Sequence, residues 1–283
     1  MMGAELLWIV VAAVVAAIVI IWLGLPTLLQ ALGLHRHKRL PKRNLDGRRA
    51  LIIATSHSQL GDTGRKTGVF ASEMTAPYYT FLDAGMTVDV ASIRGGEIPV
   101  EPVSLKWPLK SVHDARFLRD AAFRKKVKAS PAVSAVDGNA YDVVFLAGGW
   151  GAAYDFEQSP ELGQLLIKAN AHDAVIGGVC HGPLGLLAAR EGNDLPLVNG
   201  RRLTAVTDKQ VRELGITFTP RHPERDLRAA GAKFEGSTGF RDIFASRVVT
   251  DGRLVTGQNQ NDGAETADRM MQVILETTYG AGH

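Results

Sequence analysis

The single cysteine of this 283-residue chain, Cys180, is the residue best suited to covalent chemistry. It lies in the segment AVIGGVCHGPLGLL, where an apolar run ends at Cys180 and His181 and a Gly-Pro pair opens the next segment. This pattern predicts a strand, a tight elbow and a helix, and the dipole of such a helix would lower the pKa of the thiol. An isolated cysteine is more often a small buried hydrophobic residue. The elbow favours a nucleophile.

Other motifs predict neither a metal nor a cofactor. The segment GDTGRKTG, from Gly61 to Gly68, lacks the spacing of a phosphate-binding loop and is better interpreted as a lid or pocket rim. The eight histidines form no compact ligand set with acids or thiols. His57 follows the first predicted strand and is a weaker candidate for the pocket wall, because a loop histidine is more commonly at the surface.

The elements that must position these residues alternate between strand and helix. The pattern predicts an α/β, flavodoxin-like doubly wound fold: a mostly parallel sheet with helices on both faces and ligands at the carboxyl ends of the strands. Asn199-Gly200 and Asp251-Gly252 predict two added hairpins. The predicted strands are 50–55, 86–92, 142–147 and 174–179, and the predicted helices are 72–84, 115–128, 160–171, 182–190 and 264–275.

A membrane-spanning helix is predicted near the N-terminus, in residues 1–34. Leu6 to Leu25 carry no charge, and 20 residues at 1.5 Å each give a helix of about 30 Å, the thickness of a bilayer core. Trp8 and Trp22 lie near the two expected interfaces. The alternatives are a buried core helix or a cleaved signal peptide, but Glu5 and the lack of Lys or Arg before the span disfavour a signal peptide.

Positive charge is concentrated in a predicted juxtamembrane linker, residues 35–49. The positive-inside rule therefore predicts a single-pass protein of the inner or plasma membrane, with its N-terminus outside and its body in the cytoplasm. Without residues 1–49 the formal net charge changes from +3 to −2, which excludes a nucleic-acid binder by charge. The basic residues are Arg36, Lys38, Arg39, Lys42, Arg43, Arg48 and Arg49.

Several motifs together resemble the DJ-1/PfpI superfamily, which has a glutamine-amidotransferase-like fold. The resemblance rests on GGVCHGPLGLL, on DVVFLAGGWG, on TGVFASEMTAPYYTFLDAGMTVDVAS, and on GGEIPVEPVSL, VNGRRLTAVTD and DGRLVTGQNQ. It covers residues 50 to 278, so residues 50–283 are interpreted as the catalytic domain. The glyoxalase III and heat-shock-chaperone branch is the most similar.

The resemblance implies a role for each matching residue. Cys180 matches the nucleophile, His181 the histidine that follows it, and Glu73 the acid that hydrogen-bonds the cysteine. Gly148 and Gly149 match a turn whose amides face a developing oxyanion. Without the resemblance, Glu73 would be interpreted as a solvated helix residue and the glycines as a tight turn.

Two positions depart from the pattern of that branch. Trp150 follows the glycine pair where histidine is frequent, and would make the pocket wall larger and more apolar. The acid that would orient the histidine has two candidates, because Val211 occupies the place where some relatives carry glutamate. Asp208 is the first candidate and Glu213 the second, although an Asp after Thr207 is also an ordinary residue for a helix start.

The activity that the resemblance implies is a cofactor-independent conversion of methylglyoxal or related dicarbonyls to 2-hydroxy acids. Two alternatives stay open: hydrolysis or amidotransfer of a C–N bond by the same cysteine, and a chaperone or redox-stress role without turnover. Relatives with this sheet are commonly dimers, so a homodimer or higher homo-oligomer is expected by analogy.

Overall fold

The computed structural model describes residues 2–35, 39–192 and 194–280. Its main sheet has six strands in the order β2-β1-β3-β4-β8-β7, all parallel except the antiparallel pair β7 and β8. A separate parallel pair joins β5 to β6. The strands are β1 (Arg49–Ala54), β2 (Thr87–Ser92), β3 (Val143–Leu146), β4 (Val175–Val179), β5 (Arg202–Leu203), β6 (Lys233–Phe234), β7 (Val248–Asp251) and β8 (Leu254–Gly257).

Helices cover both faces of this sheet, which confirms the predicted doubly wound α/β class. Strand β1 shows why both faces are apolar, since Ile52 packs into one buried cluster and Ile53 into the other. The helices are α1 (Met2–Leu32), α2 (Ala71–Asp83), α3 (Val112–Phe117), α4 (Ala121–Lys128), α5 (Ala152–Asp155), α6 (Pro160–Ala171), α7 (Asp208–Glu213), α8 (Pro223–Ala229) and α9 (Gly263–Gly280). Helices α2, α3, α4 and α9 contribute to the first cluster, and α5, α6 and α8 to the second.

Two local predictions differ from the structure. The prediction of a hairpin at Asn199-Gly200 is wrong. The residues before this turn belong to none of the eight strands given above, and β5 instead pairs in parallel with β6. Pro196 lies in the segment before the turn and has no backbone N–H to donate to a neighbouring strand, which disfavours a strand there. The hairpin at Asp251-Gly252 is confirmed as the β7–β8 turn. The single helix expected over 115–128 is two helices, because Asp120 caps α4 by accepting from the amide of Phe123.

Helix α1 extends well beyond the predicted span of residues 6–25. Within it, Gly3–Leu32 is long and apolar enough to cross a membrane, with a mean hydropathy of 3.1 and no buried residue in its most apolar window. The predicted linker overlaps β1, which begins at Arg49. Three linker arginines pair with acids of the body: Arg43 with Asp268, Arg48 with Asp142 and Arg49 with Asp89. Arg36 and Lys38 lie outside the described residues.

Candidate active site

Cys180 occupies the turn between β4 and a short 3-10 helix, Gly182–Leu187. Its φ of 60° lies in the left-handed region, which is strained for a residue with a side chain. The turn is held from both sides, because the Cys180 amide donates to the carbonyl of Gly257 at 3.2 Å and its carbonyl accepts from Val206 at 3.1 Å. The strand-to-turn elbow predicted from the sequence is therefore present, with a shorter helix after it.

Glu73 lies in the first turn of α2, and its carboxyl group contacts the Cys180 thiol. The glutamate is 1% exposed, and its Oε2 atom has no hydrogen-bond partner among the described residues. Space for this carboxyl depends on Gly148, where a Cβ would come within 2.4 Å of Oε2 and 2.8 Å of the His181 amide nitrogen. Without the family resemblance, the sequence favours a solvated helix position for Glu73. That interpretation is wrong, because the residue is buried.

Backbone amides also surround the sulfur. Those of His181 and Gly149 point toward it and favour its charged form. Gly149 has a φ of 105°, and a Cβ there would lie 2.4 Å from the amide nitrogen of Phe70, so this turn requires glycine. The two amides provide donors for a negative oxygen that develops beside the sulfur.

Burial dominates the electrostatics of the thiol and the carboxyl. It raises the pKa of Glu73 to about 8, and the hydrogen bond with Cys180 opposes that shift only in part. Burial, followed by the charge of Glu73, raises the pKa of Cys180. The expected lowering of the thiol pKa by a helix dipole is therefore wrong, because the following helix has six residues and the site is desolvated. Near neutral pH the pair carries at most one negative charge.

His181 follows Cys180 and is 2% exposed. Its Nδ1 lies 3.3 Å from the Cys180 sulfur, whereas Nε2 is buried without a hydrogen-bond partner among the described residues. Burial lowers the pKa of His181 to about 3, so the ring is neutral over the physiological range. Trp150 packs against it, with ring centroids 4.6 Å apart, and forms part of the cavity wall.

Neither acid considered for orienting His181 makes a hydrogen bond to it in the described part of the chain. Asp208 begins α7, and its amide donates to Glu224 at 2.9 Å, while its buried Oδ1 has no partner there. Glu213 accepts from the amide of Asp242 at 2.8 Å. The position of both acids is decided by contacts with neighbouring helices, which the sequence pattern does not reveal.

A cavity of about 210 Å³ opens beside Cys180 and is smaller than the roughly 300–1,000 Å³ typical of sites for drug-sized ligands. Arg65 lines it, in agreement with a pocket rim formed by the Gly61–Gly68 segment. Among the lining residues that were not predicted as site residues are three polar ones: Glu101, Gln210 and Gln260. Glu101 accepts from the Thr67 hydroxyl at 2.6 Å, and burial raises its pKa. Glu101 is far from Cys180 in the chain, so no local sequence pattern indicates that the two residues share a cavity.

Two weaker sequence predictions concern the surroundings of this cavity. His57 does not line it and stacks instead on Tyr154, with ring centroids 4.0 Å apart. In the described ranges, no group of three or more His, Cys, Asp or Glu residues could hold a metal ion.

Comparison with known proteins gives relatives that extend over most of the body. Glutathione-independent glyoxalase HSP31 of Saccharomyces cerevisiae is 29% identical over 237 residues, covering 80% of this chain and 98% of the relative. Glyoxalase 3 of Candida albicans is 29% identical over 233 residues, covering 78% of this chain and 95% of the relative.

Solved structures give the same result for the fold. The crystal structure of glyoxalase III from Candida albicans matches with a TM-score of 0.73 and 25% identity, covering 80% of this chain and 97% of that one. Rapid Encystment Protein 24 KDa of Francisella tularensis matches with a TM-score of 0.75 and 29% identity, covering 80% and 98%. The model of the DJ-1/PfpI family matches residues 66–273, which include both Cys180 and Glu73. The chain therefore belongs to the DJ-1/PfpI family.

Proposed function

We propose that the chain is a membrane-anchored, glutathione-independent glyoxalase that converts methylglyoxal or a related 2-oxoaldehyde to the 2-hydroxy acid. The buried contact between the Cys180 thiol and the Glu73 carboxyl, at the wall of a small cavity, carries this proposal. Isomerisation of a 2-oxoaldehyde needs a nucleophile for the aldehyde carbon and a base that moves a proton between adjacent carbons. The pair supplies both, and the names of the yeast and Candida relatives support the same reaction.

In the first step, ionised Glu73 takes the proton of Cys180 as the sulfur attacks the aldehyde carbon. The resulting oxyanion accepts from the amides of Gly149 and His181 and takes the proton back from Glu73, which gives the hemithioacetal and restores the Glu73 carboxylate. Glu73 then removes the proton from the former aldehyde carbon and returns it to the neighbouring carbon, through an enediol. The partner-free Oε2 is the oxygen available for this transfer. Water hydrolyses the thioester formed, releasing the 2-hydroxy acid and the thiol.

This reaction fits the site better than C–N hydrolysis by a catalytic triad. A triad needs a histidine oriented by an acid to activate water. The Nε2 of His181 has no partner in the described part of the chain, and the ring is neutral. Proton transfer by Glu73 needs no such third residue.

The test is lactate formation from methylglyoxal by the full chain in lipid nanodiscs, without glutathione. Wild type should form lactate, Cys180→Ala should form none, and Glu97→Gln, which changes an exposed acid, should behave as wild type. Absence of lactate with release of ammonia from glutamine would replace the proposal with the hydrolase alternative. Absence of both products, with a mass gain of Cys180 under mild peroxide, would replace it with a redox role.

Membrane anchoring through α1 is the second part of the proposal. The length and hydropathy of Gly3–Leu32 support it, since the segment exceeds the roughly 20 residues needed to span a bilayer. The basic residues after the helix support a body on the cytoplasmic side and an N-terminus outside.

A further inference from the structure

The turn that follows α1 forms part of the active-site wall. Leu34 is 3% exposed and lines the cavity beside Cys180. The next residue fixes this turn, because the His35 amide donates to Asn261 Oδ1 at 2.8 Å. The His35 ring Nε2 also lies 2.9 Å from the carbonyl oxygen of Leu109, which itself lines the cavity. The proposed anchor and the catalytic cavity are therefore in direct contact.

A second contact joins α1 to the same loop of the body nearer to the apolar span. Trp22 and Trp107 stack with ring centroids 5.7 Å apart and an interplanar angle of 22°. Tryptophan is enriched at membrane interfaces, because its ring is apolar and its N–H is polar. Trp22 is also the residue expected at one interface of the Leu6–Leu25 span, so the stack brings Trp107 to the depth of that interface.

Three exposed apolar side chains, called the apolar patch below, lie at the cavity wall or on the loop that carries Trp107. Val103 and Leu214 line the cavity yet are 45% and 41% exposed, and Trp107 is 43% exposed. Exposed apolar patches that adjoin a pocket mark ligand-binding grooves or membrane contacts. Here Trp107 stacks on a helix that has the length and hydropathy of a membrane span.

We propose that the substrates are 2-oxoaldehydes with a long alkyl chain, which reach Cys180 from the bilayer along this apolar path. The inference rests on the proposed glyoxalase function and names its substrate class. The dicarbonyl head would occupy the cavity, and the chain would lie over Val103 and Trp107 toward the lipid. About 15 Å of helix separate Trp22 from the end of α1 at Leu32, shortly before Leu34 at the cavity wall, so a short substrate in the cavity does not extend to the level of Trp22.

The chemistry is the same as for methylglyoxal: one water is added, the aldehyde carbon becomes a carboxylate and the ketone carbon an alcohol. Each methylene transferred from water to an apolar surface contributes about 0.8 kcal/mol, so contact with the path favours a long chain. The product carries a negative charge that the substrate lacks, which favours its release toward water.

The experiment compares methylglyoxal with decylglyoxal, using the full chain in lipid nanodiscs and measuring each 2-hydroxy acid. Trp107→Ser should lower kcat/KM for decylglyoxal about tenfold and leave kcat/KM for methylglyoxal within about twofold, because the change removes an apolar contact outside the cavity. Phe240→Ser is the matched control, since Phe240 is 96% exposed and does not line the cavity. It should change neither value.

The outcomes separate the two proposals. If wild type converts neither compound, the glyoxalase function fails. If it converts methylglyoxal but not decylglyoxal, or if Trp107→Ser lowers both values equally, the long-chain substrate class is overturned while the function stands. If Trp107→Ser converts a dimer to a monomer in light scattering, the patch is an interface between copies, and the membrane path is likewise overturned.

A measurement without turnover tests the position of the patch. Trp8, Trp22 and Trp150 are replaced by Phe, which leaves Trp107 as the only tryptophan of the four. Lipids brominated near the headgroup should quench its fluorescence, whereas a quencher dissolved in water should have little effect. The reverse result would place Trp107 away from the bilayer and overturn the inference.

Discussion

At the scale of single residues, the protonation of Glu73 sets the expected pH dependence of the proposed reaction. With a pKa of about 8 it is mostly protonated at neutral pH, so the fraction able to act as a base increases with pH. In wild type, kcat/KM for methylglyoxal should therefore rise as pH increases through about 8. Glu73→Gln should lower turnover by about 10²–10⁴ and remove this rise, because the amide cannot accept the proton.

The comparison is made on the pH profiles of wild type, Glu73→Gln and the exposed control Glu97→Gln, with circular dichroism to confirm the fold. A flat wild-type profile between pH 6.5 and 9, the interval set by a pKa of about 8, would contradict the role of Glu73 as base. So would full activity of Glu73→Gln.

The orienting acid gives a second prediction at this scale. Because Asp208 makes no hydrogen bond to His181 in the described residues, Asp208→Asn should leave kcat/KM within about twofold and its pH profile unchanged. Glu213→Ala should lower stability by about 1 kcal/mol, since the Asp242 amide loses its acceptor. Kinetics and urea unfolding measure the two effects. A large loss of activity with a shifted profile in Asp208→Asn would instead make Asp208 a positioning residue.

At the scale of elements, the turn after β4 holds Cys180 at a φ of 60°. A residue with a Cβ is disfavoured there by roughly 1–2 kcal/mol, whereas glycine adopts this conformation readily. Cys180→Gly should therefore be more stable than Cys180→Ala by about 1 kcal/mol, although both lack activity. Urea unfolding of the two variants measures the difference. Equal stabilities would show that the turn relaxes without strain.

At the scale of the whole molecule, the proposed anchoring depends on α1. Val15→Lys with Ile18→Lys should release the chain from membranes, because each lysine near the centre of a span costs about 2.5–3.5 kcal/mol. The measurement is the share of the chain that resists alkaline carbonate extraction. Val15→Leu with Ile18→Leu keeps the span apolar and should stay in the membrane. Release of this control, or retention of the lysine variant, would contradict anchoring by α1.

The orientation of the chain is tested on intact cells. Protease added outside should leave the body uncut, and opened cells should lose it quickly, because the basic residues after α1 favour a cytoplasmic body. Digestion from outside would reverse the orientation.

The fold class, the elbow at Cys180 and the helix α1 were all predictable from the sequence. Each depends on short-range patterns: apolar runs of strand length, a Gly-Pro pair after a strand, and an uncharged stretch long enough to span a bilayer. The importance of Glu73 was also accessible, but only through the family resemblance. Its position in the chain gives no local signal of burial.

Contacts between distant segments decided the rest. Burial raises the pKa values of Glu73 and Cys180, and burial follows from how α2 packs against the sheet rather than from residue type. The placement of Leu34 and Glu101 in the cavity wall, and the pairing of β5 with β6, likewise join residues far apart in the chain. Local periodicity carries no information about such contacts, because only the packed tertiary structure sets which surfaces exclude water together.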